Sequence, residues 1–272
     1  MLFAEHPVVL RGGGDIATGV AWRLTRAGFP VIVCELAAPL TVRRTVSLSS
    51  AVVAGSIEVE GLRAVRVDDP AELLQVALTG VVPVIVSPDL PAVEAAAVID
   101  ARLAKINLDT TIHDAPTVVG LGPGFVAGKD CHAVVETKRG HHLGRVIWQG
   151  PAAANTGTPG IVGGRGAERV LRAPADGRAV WNHSIGDVVS EGDVLGHVAD
   201  RPVTAPFNGV VRGLVSSAAE LHAGLKIGDV DPRPDPTACF EISDKALAVG
   251  GGGVEAVLTR IASPAGAPDR PE

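Results

Sequence analysis

Val8-Val9-Leu10-Arg11-Gly12-Gly13-Gly14-Asp15-Ile16-Ala17-Thr18-Gly19 is an apolar run, a glycine turn and the start of a helical period that continues through Val20-Ala21-Trp22-Arg23-Leu24. That order reads as strand, turn and helix. Gly28 closes the helix, Pro30 restarts the chain, and Val31-Ile32-Val33-Cys34-Glu35 forms a second strand ending in an acid. Gly12-x-Gly14-x-x-Ala17 fits the dinucleotide pattern, and Glu35 lies 21 residues after Gly14, where a partner for a ribose 2′-hydroxyl is expected. Glycines let the backbone approach a pyrophosphate, and a helix N-terminus presents unpaired N–H groups to it. Gly12, Gly14, Asp15, Ala17 and Glu35 are therefore candidate contacts to a dinucleotide. Against this, a tight turn between strand and helix needs glycine on steric grounds alone. Asp15 is also a natural helix N-cap, and its charge would oppose a phosphate. Glu35 favours NAD over NADP unless Arg43 and Arg44 fold back over a 2′-phosphate.

Further along, Arg63-Ala64-Val65-Arg66-Val67 alternates like a strand, and Asp69-Pro70-Ala71-Glu72 is a helix start with Asp capping and Pro in the first turn. Residues 82–86 form a buried strand leading into Ser87-Pro88-Asp89, and the alanine-rich stretch 92–105 predicts a helix. Thr117-Val118-Val119-Gly120-Leu121 is another strand, followed by Gly122-Pro123-Gly124. Strands alternating with helices predict a Rossmann-like, doubly wound parallel sheet. Its ligands would sit at the carboxyl ends of the strands, which brings Gly122 and Gly124 into the same candidate crevice.

The last hundred residues read differently. Ala173-Pro174-Ala175-Asp176-Gly177 returns 32 positions later as Ala205-Pro206-Phe207-Asn208-Gly209, with Ile185-Gly186-Asp187-Val188 and Glu191-Gly192-Asp193-Val194 between them. This rhythm predicts a β-rich barrel-sandwich hybrid of the biotinyl or lipoyl type. The hairpin that would carry a modifiable lysine is Leu195-Gly196-His197-Val198-Ala199-Asp200-Arg201-Pro202, which has none. Neither biotin nor lipoate is therefore expected. The resulting division is a nucleotide-binding domain over 1–150, a Gly/Pro-rich linker or cleft loop over 151–167, the barrel-sandwich domain over 168–236, a segment packing back over 237–261, and a frayed tail over 262–272. Within that returning segment, Gly250-Gly251-Gly252-Gly253 reads as a phosphate cradle before a last helix, or equally as a flexible linker.

Composition narrows the function classes. There is no Tyr and only 3% aromatic residues, which removes stacking platforms for single-stranded nucleic acid. A net charge of -6 without a basic cluster argues against a phosphate-backbone partner. No apolar run approaches the ~20 residues that span a bilayer, and the N-terminus has no signal-peptide pattern. A cytoplasmic protein follows, with no nucleic-acid or membrane partner. A homo-oligomer stays open. Cys34, Cys131 and Cys239 make no CxxC pair, so neither a disulfide framework nor a cysteine zinc site is expected.

Polar chemistry is densest between Lys105 and Pro159, in Lys105-Ile106-Asn107, Asp130-Cys131-His132, Glu136-Thr137-Lys138-Arg139-Gly140-His141-His142 and Asn155-Thr156-Gly157-Thr158-Pro159-Gly160. The histidines do not have zinc spacing, and no metal site is assigned. A thiolate at Cys131 beside an imidazolium at His132 is one reading; a small buried hydrophobe is the other. Cys131, His132, Lys105 and His141 are the candidate catalytic residues, and Arg139 is a candidate anion contact.

Taken in order, Arg11-Gly12-Gly13-Gly14-Asp15-Ile16-Ala17-Thr18-Gly19, Leu121-Gly122-Pro123-Gly124-Phe125, Glu136-Thr137-Lys138-Arg139-Gly140-His141, Asn155-Thr156-Gly157, Lys226-Ile227-Gly228-Asp229-Val230-Asp231-Pro232-Arg233 and Ile242-Ser243-Asp244-Lys245-Ala246 resemble the YqeB-type proteins of the selenium-dependent molybdenum hydroxylase system. The resemblance implies an accessory protein that helps mature a molybdenum hydroxylase of the xanthine dehydrogenase type. Its ligand would be a molybdopterin-type cofactor or the labile selenium or sulfur on it, and its partner a hydroxylase subunit. On the residues alone, an oxidoreductase using NAD(P), or a non-catalytic module docking a hydroxylase subunit, are the alternatives.

Overall fold

The computed structural model describes residues 1–155, 157 and 163–262. Its larger part is one sheet of nine strands: β1 (Val8–Arg11), β2 (Val31–Glu35), β3 (Ser56–Val59), β4 (Leu62–Arg66), β5 (Val82–Val86), β6 (Ala97–Asp100), β7 (Thr117–Leu121), β9 (Ala133–Val135) and β10 (Val146–Ile147), in the order β10-β9-β7-β6-β1-β2-β5-β4-β3. A two-strand ribbon, β8 (Val126–Ala127) with β11 (Gly150–Pro151), lies beside it. Successive side chains of a strand face opposite sides. Val8, Leu10, Val31 and Val33 thus share a core with α1 (Asp15–Ala27) and α4 (Asp244–Ala262), while Val9, Ile32 and Cys34 pack with α3 (Leu73–Leu78) on the other face. Burial on both faces explains why the central strands read as continuous Val and Ile.

The doubly wound parallel sheet is not what forms. The pairs β3–β4 and β9–β10 are antiparallel, so the sheet is mixed. No helix forms over 92–105 either: the stretch contains β6, buried at all four positions between β1 and β7. Alanine favours helix, but propensity is small beside tertiary context, and the two buried hydrogen-bonded neighbours override it. Asp69 does cap the next short helical segment, its carboxylate accepting from the Ala71 N–H at 2.9 Å.

The β-rich region consists of a four-stranded sheet, β12 (Val170–Arg172), β18 (Lys226–Asp231), β17 (Gly209–Leu214) and β14 (Val188–Val189), and a three-stranded one, β13 (Ala179–Trp181), β15 (Val194–Val198) and β16 (Arg201–Thr204). The expected biotinyl or lipoyl barrel-sandwich is corrected to these two antiparallel sheets, which are stitched to the rest of the molecule. The Leu214 N–H donates to the Val42 carbonyl at 2.8 Å, Arg44 donates to the Leu214 carbonyl at 2.6 Å, and Arg43 donates to the carbonyls of Ala238 and Glu241 at 3.0 and 3.1 Å. These bonds come from residues 42–44 of the segment after β2, ahead of the short helix α2 (Ala51–Ala54).

The run Gly250-Gly251-Gly252-Gly253 is neither a cradle nor a linker, because it lies inside α4. A Cβ on Gly19 would strike the Ala246 backbone, and one on Gly250 would lie 2.5 Å from the Gly19 carbonyl oxygen. Gly252 likewise faces the Gly144 carbonyl, whereas Gly251 points into open space. Gly250→Ala should therefore cost about 1–3 kcal/mol by overpacking, while Gly251→Ala should stabilise by about 0.5–1 kcal/mol through helix propensity. Urea unfolding of the two variants checks the opposite signs; equal effects would mean that the helices do not meet through glycine.

Candidate functional site

Strand order reverses at β1, since the chain builds β2 on one side and, after β5, β6 on the other. Crevices open at the carboxyl ends of strands at such points. Here a cavity of about 470 Å³ is lined by Gly12, Gly14, Asp15, Glu35, Arg43, Ser87, Pro88 and Arg102, among others. Gly12 has φ +93, and a Cβ there would meet the Arg102 backbone at 3.2 Å, so turn and packing both require glycine. Gly14 is different. Its φ of -65 and ψ of 179 are open to any residue, and an added Cβ meets nothing within 4 Å.

Asp15 is not the N-cap of α1. Gly14 is, with no side-chain capping bond, while Asp15 sits in the first turn and pairs with Arg43 at 3.3 Å. Glu35 is held by two amides, one carboxylate oxygen accepting from the Gly13 N–H at 2.8 Å and the other from the Leu36 N–H at 2.7 Å. A carboxylate oxygen has more than one lone pair, so Glu35 can still accept from a ligand hydroxyl. Ala17 is fully buried in the helix packing and does not reach the cavity.

The floor is ionic. Buried Arg11 donates to Thr110 at 3.0 Å and Asp109 at 2.9 Å; Arg102 bonds Asp100 at 2.5 Å and Asp109 at 2.7 Å. Hydrogen bonds from Arg11 and then Arg102 hold the Asp109 carboxyl below its ordinary range. This network fixes residues 101–110, where Leu103 and Lys105 adopt φ of 54 and 69, conformations costly for residues with a side chain.

Next to the cavity the charge turns positive. Lys245, in the first turn of α4, has its ammonium pKa lowered by burial and by the neighbouring charges of Lys105 and Arg139, against Asp15 and Glu136, which raise it. Burial also lowers Lys105. Arg139 reaches Asp244 at 2.6 and 3.1 Å, bringing the loop after β9 to the start of α4. Arg139 and His141 line a second cavity of about 270 Å³.

Other candidates lie elsewhere. Cys131 and His132 precede β9 and stand at the opposite edge of the sheet. Cys131 is 0% exposed in an apolar cluster with Val118 and Phe125, and burial raises its thiol to about 11. Nδ1 of His132 accepts from the Val118 N–H at 2.9 Å, and burial, then Arg260 and His113, lower its pKa. Gly122 packs on Thr137 and Gly124 on Ile106, outside the first cavity. Thr156 and 158–160 of the Asn155–Gly160 motif lie outside the described residues. Among the described residues no group of three or more His, Cys, Asp or Glu could hold a metal ion, and no helix is long and apolar enough to cross a membrane.

Sequence reading missed Arg11, Arg102, Asp100 and Lys245. The i, i+3, i+4 spacing of Ala246, Val249, Gly250, Gly253, Ala256 and Val257 is a helix signal that would have placed Lys245 at a helix start.

The molecule is thus an α/β protein with a mixed sheet and a ligand-sized crevice at its strand reversal. Over 266 residues the chain is 46% identical to "Uncharacterized protein YqeB" of Escherichia coli strain K12, a match that covers 95% of this chain. This homology supports the YqeB family, and the chain spans about half the length of that relative, 49%. The relative's name carries no molybdenum or selenium function. No family model matches. Among solved structures, an aspartoacylase family protein of Mesorhizobium loti is similar at 14% identity and TM-score 0.28, covering 85% of this chain and 87% of that one. A succinylglutamate desuccinylase/aspartoacylase of Rhodobacter sphaeroides follows at 17% and 0.27, covering 85% and 86%. Likenesses this low carry no argument about fold or activity.

Three outcomes follow from the charges and thiols. Asp100→Asn should cost about 1–3 kcal/mol, because it removes the buried charged partner of Arg102, which keeps Asp109. Asp109, lowered on folding, contributes above the ordinary carboxylate range and loses that contribution as pH falls through its lowered value, so urea stability should drop on the acid side. A disulfide reagent at pH 8 should leave all 3 cysteines of the native protein unmodified over minutes and titrate them only after denaturation. Fast labelling of Cys131 would reinstate it as a reactive thiol.

Proposed function

We propose that the crevice binds a dinucleotide-type ligand and that the chain serves as an accessory protein in maturing a molybdenum hydroxylase, with a pterin dinucleotide as its cargo. Gly14 carries this reading. The fold needs glycine at Gly12 for φ and at Gly13 because a Cβ would meet the Ser49 N–H group at 2.8 Å, yet at Gly14 it needs neither. What glycine does there is keep open the approach to the uncapped first turn of α1, where N–H groups and the helix dipole attract a phosphate. A cavity of about 470 Å³ is within the usual range for small-molecule sites. Arg43 offsets the Asp15 charge that would otherwise repel the anion. The accessory role itself comes from the YqeB-type resemblance, and it is confined here to binding, since Cys131 is buried at the other edge of the sheet.

The placement of Glu35 at the end of β2, on the cavity wall, favours a second reading, a nicotinamide-dinucleotide oxidoreductase. Native mass spectrometry of protein purified from its own host under reducing, oxygen-free conditions separates the two. A released pterin dinucleotide is the expected result; NAD or NADP would replace the first reading with the second. Gly14→Val should fold normally and weaken retention of the ligand at least ~30-fold, by removing the close phosphate contact (about 2 kcal/mol). Unchanged retention in that variant would overturn both.

A further inference from the structure

The second cavity, about 270 Å³, is lined by Glu136, Lys138, Arg139, His141, His142 and Arg145 along with three smaller or apolar residues. Its charge is not balanced. Arg139 is engaged by Asp244, but neither Lys138 nor Arg145 has an acidic partner among the described residues. Glu136 does not neutralise them by contact either. It is 4% exposed, and its two carboxylate oxygens accept from the backbone N–H groups of Lys138 at 2.7 Å and Ala153 at 2.7 Å. The Glu136 backbone closes the loop as well, its N–H donating to the Arg145 carbonyl at 3.0 Å and its carbonyl accepting from the Gly144 N–H at 2.9 Å. The buried acid is thus a fastener, which holds a ring of cationic side chains open around a cavity.

We infer that this cavity is a second anion site, built to receive a phosphate or pyrophosphate group. Lys138, Arg139 and Arg145 supply charge-assisted donors, and His141 and His142 supply further N–H donors. Arg139 joins this ring to Asp244, next to Lys245, whose neighbours include Lys105 and, at the first cavity, Asp15. The phosphate belongs either to a separate small phosphorylated ligand or to the far end of the dinucleotide proposed above; only the second source rests on that proposal.

Calorimetric titration of the full chain with inorganic pyrophosphate at low salt tests the site. Wild type should bind, with affinity falling as salt screens the charges. In a Gly14→Val background, which removes the phosphate contact proposed for the crevice, Lys138→Ala with Arg145→Ala should weaken the remaining binding at least tenfold, and Lys138→Arg with Arg145→Lys should retain it. Both pairs are exposed, so unchanged thermal melting is expected and separates loss of binding from loss of fold. No binding by wild type, or equal binding by the double alanine variant, overturns the inference. Pyrophosphate binding abolished by Gly14→Val alone would place the anion at α1 and overturn it too, while supporting the crevice. Conversely, tenfold loss in the double variant from a protein that retains no dinucleotide supports the second site as a receptor for a separate phosphorylated ligand and removes the reading of the first.

Discussion

Close contact between α1 and α4 sets the geometry on which both cavities depend. Ala246 lies against Gly19, Gly250 against Gly19 and Arg23, and Gly253 against Val20, so the two helices run in the same direction through a groove that side chains would fill. Both N-termini consequently open at the carboxyl edge of the sheet. Parallel helix dipoles put partial positive charge side by side, an arrangement that costs energy unless anions sit near it. Each helix carries its own: Asp15 in the first turn of α1 and Asp244 in the first turn of α4.

Each of those acids is then bound by an arginine from another part of the chain, and this turns a local electrostatic remedy into a tertiary clamp. Arg43 joins Asp15 to the carbonyls of Ala238 and Glu241, which precede α4. Arg139 joins Asp244 to the loop after β9. Hydrogen bonding from Arg139 holds the Asp244 carboxyl below its ordinary range. The β-rich region is drawn into the same arrangement, because Arg44 and Val42 bond Leu214 directly beside Arg43.

Local patterns carried far into the structure wherever one element decided them. The first strand, turn and helix are those read from Val8 to Leu24, and Glu35 and Ser87 meet the glycine turn at one cavity because strand ends in a common sheet must converge there. Reading failed where a tertiary partner overruled local preference. Ala97-Val98-Ile99-Asp100 looks helical with its alanine-rich flank, and becomes a central strand because β1 and β7 complete its hydrogen bonds. Four consecutive glycines look like an interruption, yet they lie inside α4, where α1 approaches Gly250 and the Gly144 carbonyl approaches Gly252 too closely for a larger residue. Cys131 beside His132 suggested chemistry by adjacency in sequence, yet at the start of a buried strand the thiol is surrounded by Val118, Phe125 and Val134.

The absence of a helix between β5 and β7 also explains the character of the crevice. In place of helical cover, residues 101–116 run as a loop across the strand ends, and a loop near the core must satisfy its polar groups or lose stability. Arg11, Asp100, Arg102, Asp109 and Thr110 meet this need through mutual bonds, with Asn107 bonding the Thr110 backbone at 2.8 and 3.0 Å. Because those arginines are already paired with carboxylates, they define the shape of the floor more than its charge. The group left to meet an anion is the one outside that network, the uncapped turn at Gly14.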